Sequence, residues 1–309
     1  MNNDANPQCF DVVTGAFSYT GKHIARRLLA TGRKVKTLTG HPSRPDPFQG
    51  KVSVAPLDFS RPEELAANLR GAATLYNTYW IRFAHGSLTY PDAVANSQAL
   101  FRAARAAGVR RIVHVSIANP SLDSPLPYYS GKARVEEALV ASGLSYAILR
   151  PTVIFGDEDI LINNIAWLVR RFPVFAIPGK GGYRLQPIFV EDFSELAVRA
   201  GFGGENTVAD AVGPETYTFE DLVQLVASAV GRRARFVHMN PWLVHAACSL
   251  LSVPLRDVLL TREEIEGLMA DLLVSRQAPA GRTRLNDWLF RNSSRVGTSY
   301  ASELERHYR

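Results

Sequence analysis

The sequence predicts an α/β fold in which a doubly wound parallel sheet is followed by a smaller, mostly helical C-terminal part. Short apolar runs alternate with helical patterns through the first half, and a glycine-containing turn follows the first apolar run. After Pro151 the pattern becomes mainly helical. Strand–helix alternation of this kind is typical of a parallel sheet covered by helices on both faces. A chain of 309 residues is long enough for one large domain with an appendage, or for two domains.

Six apolar runs are candidate strands, and four helical patterns lie between them. We predict the strands at 10–13, 35–38, 52–55, 74–77, 111–115 and 146–149, and the helices at 23–30, 62–69, 92–107 and 129–141. Ser60 and Glu63 have the spacing of a capping box at the start of the second helix. These elements together predict a dinucleotide-binding Rossmann sheet.

The second half predicts a substrate domain that interleaves with the nucleotide domain. The nucleotide domain is expected to cover 1–155, with 185–213 returning to it. The substrate domain is expected to cover 156–184 and 214–309, and Thr218 in it has the position of a helix N-cap.

One stretch of the C-terminal part, PWLVHAACSLLSVPLRDVLL, is apolar on several faces. Most stretches of this kind form core, so burial is the expected fate. A wall for an apolar substrate and a surface for a partner are the alternatives. Trp242, His245 and Trp288 are candidate pocket residues.

Composition excludes several classes of protein. The chain is 46% hydrophobic and 21% charged, as soluble globular proteins are, and no uninterrupted apolar run is long enough to predict a transmembrane segment. The start, MNNDANPQ, has neither the basic flank nor the apolar core of a signal peptide. Cys9 and Cys248 lie far apart, which predicts no metal site, no disulfide framework and a reducing cytoplasmic location.

The net charge of +6 is mild, and the arginines are spread along the chain. A nucleic-acid-binding protein is expected to show a basic stripe or a recognisable motif, and neither is present. We therefore expect no nucleic-acid partner, and favour an enzyme with anionic ligands over a binder of nucleic acid or of membrane surfaces.

The turn TGAFSYTG, residues 14–21, carries the first functional signal. It joins the first strand to the first helix, and a helix N-terminus attracts a diphosphate through its N–H groups and partial positive charge. Gly15 can make the tight turn, and Gly21 can let the helix lie close to the strand. Ser18 replaces the usual central glycine, and its hydroxyl can donate to a phosphate oxygen. We predict nucleotide binding here; a generic strand–helix loop is the alternative.

The end of the second strand, TLTGHPSR, bears on the choice of cofactor. NAD-selective sites usually place an acid near this point, yet no Asp or Glu occurs from Ala16 to Pro45. Thr39, His41 and Arg44 are found there instead, and an arginine can bind a 2′-phosphate as a planar fork. We therefore favour NADP, with NAD as the second choice.

Asp58 follows the third strand. Its carboxylate can accept a hydrogen bond from an adenine amino group or cap a local turn, and the sequence leaves both open.

The segment PYYSGKARVEEAL contains a candidate acid–base pair. Tyr128 and Lys132 are four residues apart, so on a helix they share one face. An ammonium near a phenol stabilises the phenolate, which suits the phenol to general acid/base work on a carbonyl or alcohol. Tyr129 is the weaker candidate. Ser116 ends the fifth strand, at the sheet edge where ligands bind, and its hydroxyl can bond a substrate oxygen.

On these residues the chain resembles the short-chain dehydrogenase/reductase superfamily, in its extended or atypical branch. That branch includes epimerase/dehydratase-like proteins, NmrA-like proteins and the nucleotide-binding accessory subunit of respiratory complex I. The resemblance covers 10–231, and its landmarks are TGAFSYTG, LDF, NSQALFRAARAAGVRRIVHVS, YYSGK, ILRPTVIFG, LQPIFVEDFSELAV and AVGPETYTFEDLV.

The resemblance implies roles for individual residues. The family's tyrosine and lysine fall on Tyr128 and Lys132, its serine on Ser116, and an asparagine that steadies the proton relay on Asn96. Ser121 and Ser124 are alternatives for the serine. Candidate cofactor-binding residues are Thr14, Gly15, Phe17, Ser18, Tyr19, Thr20, Gly21, Thr39, His41, Arg44, Asp58, Phe59, Thr78, Lys132, Pro151, Thr152 and Val153, of which the last three are expected beside the nicotinamide.

Three functions compete at this point. An NADP-dependent oxidoreductase, transferring hydride between nicotinamide and a substrate carbonyl or alcohol, is favoured. A nucleotide-sugar epimerase or dehydratase and a non-catalytic NADP-binding sensor or assembly protein are the alternatives. We expect a small-molecule substrate, for which an apolar compound is one interpretation; a homodimer is compatible with the sequence, which leaves the oligomeric state open.

Overall fold

The structure is a computed structural model that describes residues 10–307, so Cys9 and the beginning of the predicted nucleotide domain lie outside the described residues. Two compact units make up the chain. The first unit runs up to Arg150 and takes in Ser194–Ala209, and the second contains Pro151–Phe193 and Asp210–Arg309.

The strands and helices are numbered along the chain. The strands are β1 (Phe10–Thr14), β2 (Lys34–Thr39), β3 (Val52–Pro56), β4 (Ala72–Asn77), β5 (Arg111–Val115), β6 (Ser145–Pro151), β7 (Ile154–Phe155), β8 (Val174–Pro178), β9 (Arg184–Leu185), β10 (Ile188–Phe189), β11 (Thr207–Ala211), β12 (Tyr217–Thr218) and β13 (Arg235–Met239). The helices are α1 (Tyr19–Ala30), α2 (Pro62–Leu69), α3 (Tyr90–Ala106), α4 (Pro127–Ala141), α5 (Leu161–Arg171), α6 (Val190–Phe202), α7 (Phe219–Ala229), α8 (Pro241–Leu255), α9 (Arg262–Met269), α10 (Leu285–Asn292) and α11 (Glu303–His307).

The first unit is built on the predicted doubly wound sheet, which has seven strands in the order β11-β6-β5-β4-β1-β2-β3. β1 pairs in parallel with β2 on one side and with β4 on the other. The direction in which the chain adds strands therefore reverses between β1 and β4, and ligands of such sheets bind at this point beyond the carboxyl ends of the strands. All six predicted strands and all four predicted helices are present.

The core of the first unit fills the space between this sheet and its helices. Val12, Leu38, Leu75, Ile112 and Ile148 come from five different strands and are all fully buried or nearly so. A continuous apolar layer of this kind holds the strand ends in fixed positions, which is what a site at the sheet edge requires.

The predicted capping box at Ser60 and Glu63 is wrong. α2 begins after Arg61, which makes no side-chain cap. The Ser60 hydroxyl donates instead to Asp58 Oδ1 at 2.6 Å. By contrast, the predicted N-cap Thr218 is confirmed, because its hydroxyl oxygen accepts from the Asp221 N–H at 3.1 Å.

The second unit has its own apolar core between α5, α7 and α10. Ile162, Leu222, Val226 and Leu289 are fully buried in it, and Trp288, a candidate pocket residue, is 7% exposed. A parallel pair formed by β8 and β13 was not predicted. Assignment of this unit to substrate binding remains a proposal. Over residues 10–307, no helix is both long enough and apolar enough to cross a bilayer.

Candidate functional site

The turn after β1 is shaped by two glycines. Gly15 has φ +66°, a left-handed conformation that glycine adopts without strain, and its N–H donates to Leu38 O at 2.8 Å. At Gly21, an added Cβ atom would lie 2.3 Å from Gly15 O. Only glycine therefore lets the first turn of α1 approach the strand end this closely, which is the geometry of a diphosphate-binding turn.

Ser18 closes this turn. Its Oγ donates to Gly15 O at 2.6 Å, and its backbone N–H donates to the same oxygen at 2.9 Å. Ser18 is also the N-cap residue of α1, with extended backbone. The hydroxyl that we expected to reach a phosphate is thus donated within the turn, and a direct Ser18–phosphate contact stays a prediction. The N–H groups at the start of α1 remain the natural anion donors.

Two threonines tie the ends of β1 and β4 together. Thr14 Oγ1 accepts from the backbone N–H of Thr78 at 2.7 Å, and Thr78 Oγ1 donates to Thr14 O at 2.6 Å. The backbone N–H of Tyr79 also donates to Thr14 Oγ1, at 3.1 Å. These bonds join the carboxyl ends of β1 and β4, where the order of the strands reverses. They also hold the backbone of Tyr79 where the chain leaves β4.

The loop after β2 holds the residues expected at the ribose. Thr39 Oγ1 accepts from the His41 N–H at 3.0 Å, and Arg44, five residues after the end of β2, is half-buried. The first acid downstream, Asp46, accepts from the N–H groups of Phe48 at 2.7 Å and of Gly50 at 2.6 Å. The Asp46 carboxylate thus stabilises its own loop, and a contact of Arg44 with a 2′-phosphate stays a prediction.

This loop is fastened to the diphosphate turn by an aromatic contact. The ring of Phe48 is buried and lies 6.2 Å, centroid to centroid, from the ring of Phe17. This ring contact joins the loop after β2 to the turn after β1.

Asp58 has the geometry of a turn cap. Its Oδ1 accepts from the Ser60 N–H at 2.9 Å as well as from the Ser60 hydroxyl, and these hydrogen bonds lower the pKa of the Asp58 carboxyl. The neighbouring Phe59 ring lies 4.8 Å from that of Tyr79. Contacts of Asp58 and Phe59 with adenine remain predictions.

Lys132 is the most unusual charge of the first unit. It is only 2% exposed, its Nζ donates to Val115 O at 2.8 Å, and the same nitrogen lies 4.7 Å from the centre of the Trp80 ring. Burial lowers the pKa of Lys132 to about 7. A buried lysine whose pKa lies near 7 marks a candidate functional site, because burying a charged amine costs free energy.

The groups around Lys132 explain how the amine is tolerated. The Glu136 carboxylate lies one helical turn further on and partly raises the lysine's pKa, but Glu136 is also bound by the Arg150 guanidinium, at 3.0 Å from Nε to Oε1. His114 is fully buried, and burial together with the Lys132 charge lowers its pKa well below the usual value. A neutral imidazole beside the amine adds no second cation.

Ser116 offers a buried hydroxyl at the end of β5. It is 3% exposed, its N–H donates to Leu149 O at 2.8 Å, and its Oγ has no partner among the described residues. The carbonyl that receives Lys132 belongs to Val115, the residue immediately before it. The unsatisfied hydroxyl thus lies one residue after the carbonyl that binds the buried amine. A ligand oxygen at this position would supply the missing hydrogen bond.

The two alternative serines have local partners. Ser121 Oγ accepts from the Asp123 N–H at 3.3 Å, and Ser124 Oγ accepts from the Leu126 N–H at 3.2 Å. Both hydroxyls therefore stabilise the loop before α4, and Ser116 is the serine we retain.

Tyr128 lies one helical turn before Lys132 on α4, and Trp80 connects the two. Tyr128 is half-buried, and its ring meets the Trp80 ring edge-on with centroids 6.0 Å apart. Between them in the sequence, Gly131 leaves room for the indole, since an added Cβ would lie 3.0 Å from Trp80 Cη2. Tyr129 is buried at 7% exposure, which leaves Tyr128 as the more accessible phenol.

Asn96 meets a residue that sequence reasoning missed. Its Nδ2 donates to Tyr79 Oη at 2.9 Å, and burial raises the pKa of Tyr79 while this hydrogen bond opposes the rise. Its predicted role beside Tyr128 and Lys132 stays a prediction. Tyr79 and Trp80 follow β4 in NTYW, so their place at a strand's carboxyl end was the signal that could have found them.

The segment expected beside the nicotinamide continues from β6 into the second unit. The Thr152 hydroxyl donates to Gln186 O, and Val153 O accepts from the Ile188 N–H at 2.8 Å. Pro151 is the last residue of β6. The side chain of Thr152 is thus anchored within its own unit, and the role of these three residues toward a cofactor stays a prediction.

Taken together, the first unit fits a nicotinamide dinucleotide. The turn excludes a Cβ atom at Gly21, and the sheet edge holds the unsatisfied Ser116 hydroxyl and the buried Lys132 amine. Within residues 10–307, no group of three or more His, Cys, Asp or Glu side chains is arranged to hold a metal ion.

Comparison with known proteins agrees with this geometry. Residues 15–163 match the family model described as NAD(P)H-binding. A mitochondrial protein of Arabidopsis thaliana, NADH dehydrogenase [ubiquinone] 1 alpha subcomplex subunit 9, is 24% identical over 292 residues, covering 86% of this chain and 71% of that protein.

Two solved structures share the fold. Citrobacter sp. triphenylmethane reductase, complexed with NADP(H), is similar with a TM-score of 0.75 and 17% identity, covering 92% of this chain and 99% of that one. A nucleoside-diphosphate-sugar epimerase from Staphylococcus aureus is similar with a TM-score of 0.73 and 17% identity, covering 91% of this chain and 99% of that one. The predicted resemblance is confirmed, as is the expectation of a nicotinamide dinucleotide cofactor.

Proposed function

We propose that this chain, whose residues 15–163 match an NAD(P)H-binding family model and whose fold is shared with an NADP(H)-binding reductase, is an NADP-dependent oxidoreductase acting on a carbonyl or alcohol carbon. One observation carries the proposal. The buried Lys132 amine, whose pKa is about 7, donates to the carbonyl of Val115, and the next residue, Ser116, has a buried hydroxyl with no partner among the described residues. Tyr128 stands one helical turn away, on the side of α4 that faces Trp80.

We expect the first unit to bind the cofactor. The N–H groups at the start of α1 receive the diphosphate, and Gly21 gives them access. Arg44 and His41 meet the 2′-phosphate, which is the reason for preferring NADP over NAD. When bound, the nicotinamide supplies the hydride for reduction of the substrate carbon or accepts it in the reverse reaction.

Three side chains of this protein bind the substrate oxygen and exchange its proton. Ser116 Oγ donates to the substrate oxygen, satisfying a hydroxyl that has no partner among the described residues. Tyr128 gives its phenolic proton to the same oxygen as negative charge develops there, and takes a proton back in the oxidation direction. A protonated Lys132 amine would favour the phenolate form of Tyr128 in this exchange, and with a pKa of about 7 the amine is partly protonated at neutral pH.

Trp80 shapes what can reach these groups. Its indole lies over the Lys132 amine and against the edge of Tyr128, and Tyr90 continues the aromatic surface, with centroids 6.4 Å from those of Trp80. Aromatic rings pack against apolar substrates and against the C–H faces of sugars alike, so they do not separate the two enzyme candidates. The oxidoreductase is preferred over the nucleotide-sugar epimerase because no acid follows β2, where an NAD-selective site usually has one.

A non-catalytic, cofactor-binding protein is the second candidate. The relative that is a subunit of NADH dehydrogenase favours it, as does Trp80, which lies over the amine that catalysis requires. Such a protein would bind NADPH without ever oxidising it.

The test is NADPH oxidation by the purified full chain across a panel of aldehydes, ketones and quinones, followed by absorbance. We expect turnover with NADPH in preference to NADH. With a substrate in hand, Ser116→Ala should lower kcat about 100-fold, as loss of a donor to a developing oxyanion does. Ser124→Ala, whose hydroxyl serves a loop, is the matched control and should retain activity. Tight NADPH binding with no oxidation across the panel would support the non-catalytic candidate instead.

A further inference from the structure

His114, near the carboxyl end of β5, is a buried titratable side chain that the proposed chemistry does not use. Its ring is fully buried and lies edge-on to the ring of Phe101, with centroids 5.9 Å apart. A buried polar atom without a hydrogen bond costs free energy, so both ring nitrogens need partners. Nδ1 has one in Asn77, whereas Nε2 has none among the described residues.

The proton of the His114 ring can be located from the orientation of Asn77. The backbone N–H of Tyr79 donates to Asn77 Oδ1 at 3.1 Å, which fixes the oxygen side of the carboxamide. The other side, Asn77 Nδ2, then lies 3.1 Å from His114 Nδ1. An amide nitrogen only donates, so Nδ1 accepts and the neutral ring carries its proton on Nε2.

The surroundings of the ring also favour its neutral form. A second proton, on Nδ1, would point at the amide hydrogens of Asn77 and break that hydrogen bond. Of the other side chains beside the ring, Phe101 on α3 and Ile148 on β6 do not titrate. Lys132 on α4 is the charged one, and burial together with its charge lowers the pKa of His114. The Nε2–H group is therefore a permanent donor in the core.

This donor lies on the same face of the sheet as the Ser116 hydroxyl. The two residues are two positions apart, and the Ser116 N–H extends the pairing of β5 with β6, so both side chains point to one side. Lys132 reaches the residue between them, since its Nζ donates to Val115 O at 2.8 Å. The effect of the Lys132 charge on the pKa of His114 agrees with an amine close to the ring.

The polar atoms of these three side chains call for one more partner. His114 Nε2 and Ser116 Oγ have none among the described residues, and a protonated Lys132 has two N–H bonds besides the one donated to Val115 O. The three side chains are at most 3% exposed, so bulk solvent does not supply the missing bonds. Residues two apart on a strand are separated by about 6.6 Å, a gap that one water bridges with two hydrogen bonds of about 2.8 Å.

We propose that His114, Lys132 and Ser116 bind one buried water, and that His114 is thereby a positioning residue for the Ser116 hydroxyl. The water accepts from His114 Nε2–H and from the Lys132 ammonium, and it donates to Ser116 Oγ. Three hydrogen bonds are the usual number for a buried water. Because the water donates to the Ser116 oxygen, the hydrogen of that hydroxyl is directed away from the water and toward the substrate oxygen.

The positioning role rests on the function proposed above, whereas the water site does not. The first measurement is therefore independent of activity: a crystal structure of the full chain at a resolution that shows ordered water, together with nitrogen NMR of its histidine side chains. We expect a water within hydrogen-bond distance of His114 Nε2, Lys132 Nζ and Ser116 Oγ. The His114 signals are those that His114→Phe removes.

NMR tests the tautomer on which the water site depends. We expect the His114 proton on Nε2, with the ring neutral down to about pH 5.5, where an ordinary histidine with a pKa near 6.5 is mostly charged. The absence of a water that touches the three atoms, a proton on Nδ1, or a ring that becomes charged near pH 6.5 overturns the proposal.

Kinetics with an identified substrate test the positioning role. His114→Phe keeps an aromatic ring beside Phe101 and removes both nitrogens, and we expect kcat to fall about tenfold with an unchanged Kd for NADPH. His114→Gln keeps an N–H donor near the position of Nε2 and should restore most of the activity. In a Ser116→Ala protein, His114→Phe should lower kcat less than about twofold, because His114 acts through the Ser116 hydroxyl.

The matched control is His238→Phe, a substitution of an exposed histidine in the second unit, which should retain wild-type kinetics. Circular dichroism should show all variants folded. Wild-type kcat in His114→Phe, no recovery in His114→Gln, or an equal loss with and without Ser116 overturns the positioning role. Absence of turnover with every substrate of the panel overturns the proposed function and the positioning role together, whereas the water site is still decided by the crystal structure and the NMR spectra.

Discussion

Substitution of Gly21 by alanine tests the diphosphate turn with the smallest possible change. The added Cβ would lie 2.3 Å from Gly15 O and 2.8 Å from Gly15 C, whereas ordinary contacts begin at 3.4 Å. Both contacts are with backbone atoms, which cannot rotate away as a side chain end does. The first turn of α1 must therefore move away from the strand end by about 1 Å, and the N–H groups that face the phosphates move with it.

The expected magnitude follows from this displacement. Inserting a methyl group into a well-packed site costs about 1–3 kcal/mol. If the displacement falls on the cofactor-bound state, the Kd for NADPH rises about 5- to 150-fold. Part of the same energy lowers the free energy of unfolding of the free protein, so the two quantities are measured side by side.

The assay is a fluorescence titration of NADPH together with urea unfolding. Gly204→Ala is the control, because a Cβ at Gly204 meets nothing within 4 Å and the residue lies in the same unit. We expect Gly21→Ala to weaken NADPH binding and the control to bind as the wild type does. A folded Gly21→Ala protein with wild-type affinity would show that the cofactor does not lie against this turn.

Three further predictions concern the same unit. Ser18→Leu should weaken NADPH binding at least tenfold by titration, because it removes the hydroxyl that closes the turn and fills the phosphate approach, whereas Ser18→Gly should leave affinity within a few-fold. Arg44→Gln should raise the Kd for NADPH about 10- to 100-fold and leave that for NADH unchanged, since only the former carries a 2′-phosphate; equal losses for both would remove Arg44 from the ribose site. Burial lowers the pKa of Lys132 to about 7, so above pH 7 the unfolded chain keeps a proton that the folded chain has lost, and stability rises with pH up to the unfolded pKa near 10. Lys132→Met should remove this rise in the free energy of unfolding, which is about 1.4 kcal/mol per pH unit. Urea unfolding of both proteins at pH 7 and pH 9 measures the difference. Parallel pH dependence of the two proteins would contradict a buried neutral amine.

The sheet could be predicted from the sequence because its strands are buried on both faces. Val12, Leu75 and Ile112 lie in short apolar runs between turn signals. Such runs can be recognised in the sequence without knowing side-chain contacts or loop conformations. Helix starts were less certain: α1 begins at Tyr19, four residues before the predicted start, because Thr20 and Gly21 carry no apolar periodicity. The Ser60 cap failed because Asp58 competes for its hydroxyl, which spacing alone does not reveal.

The candidate site was predictable only where strand ends bring residues together. The sheet topology predicts Ser116 at the same edge as Tyr128, and the structure has Lys132, one helical turn after Tyr128, bonded to the carbonyl of Val115, the residue before Ser116. The contacts of Trp80 with Lys132 and with Tyr128 depend on the room left by Gly131, a packing relation that the sequence does not display. The exposure of α8 could not be predicted either, since apolar composition alone indicates burial. The substrate domain's boundaries and a cytoplasmic location stay predictions.

The central claim is that Tyr128 exchanges the proton at an NADP(H)-dependent site, and substitution of its hydroxyl tests it most directly. Tyr128→Phe keeps the ring that packs against Trp80 and removes only the phenolic proton. With a substrate identified, we predict that kcat falls about 100- to 10,000-fold, as loss of a general acid does, while the Kd for NADPH stays within a few-fold of the wild type. Tyr129→Phe, the buried neighbour, should retain activity. Wild-type turnover by Tyr128→Phe would contradict the account.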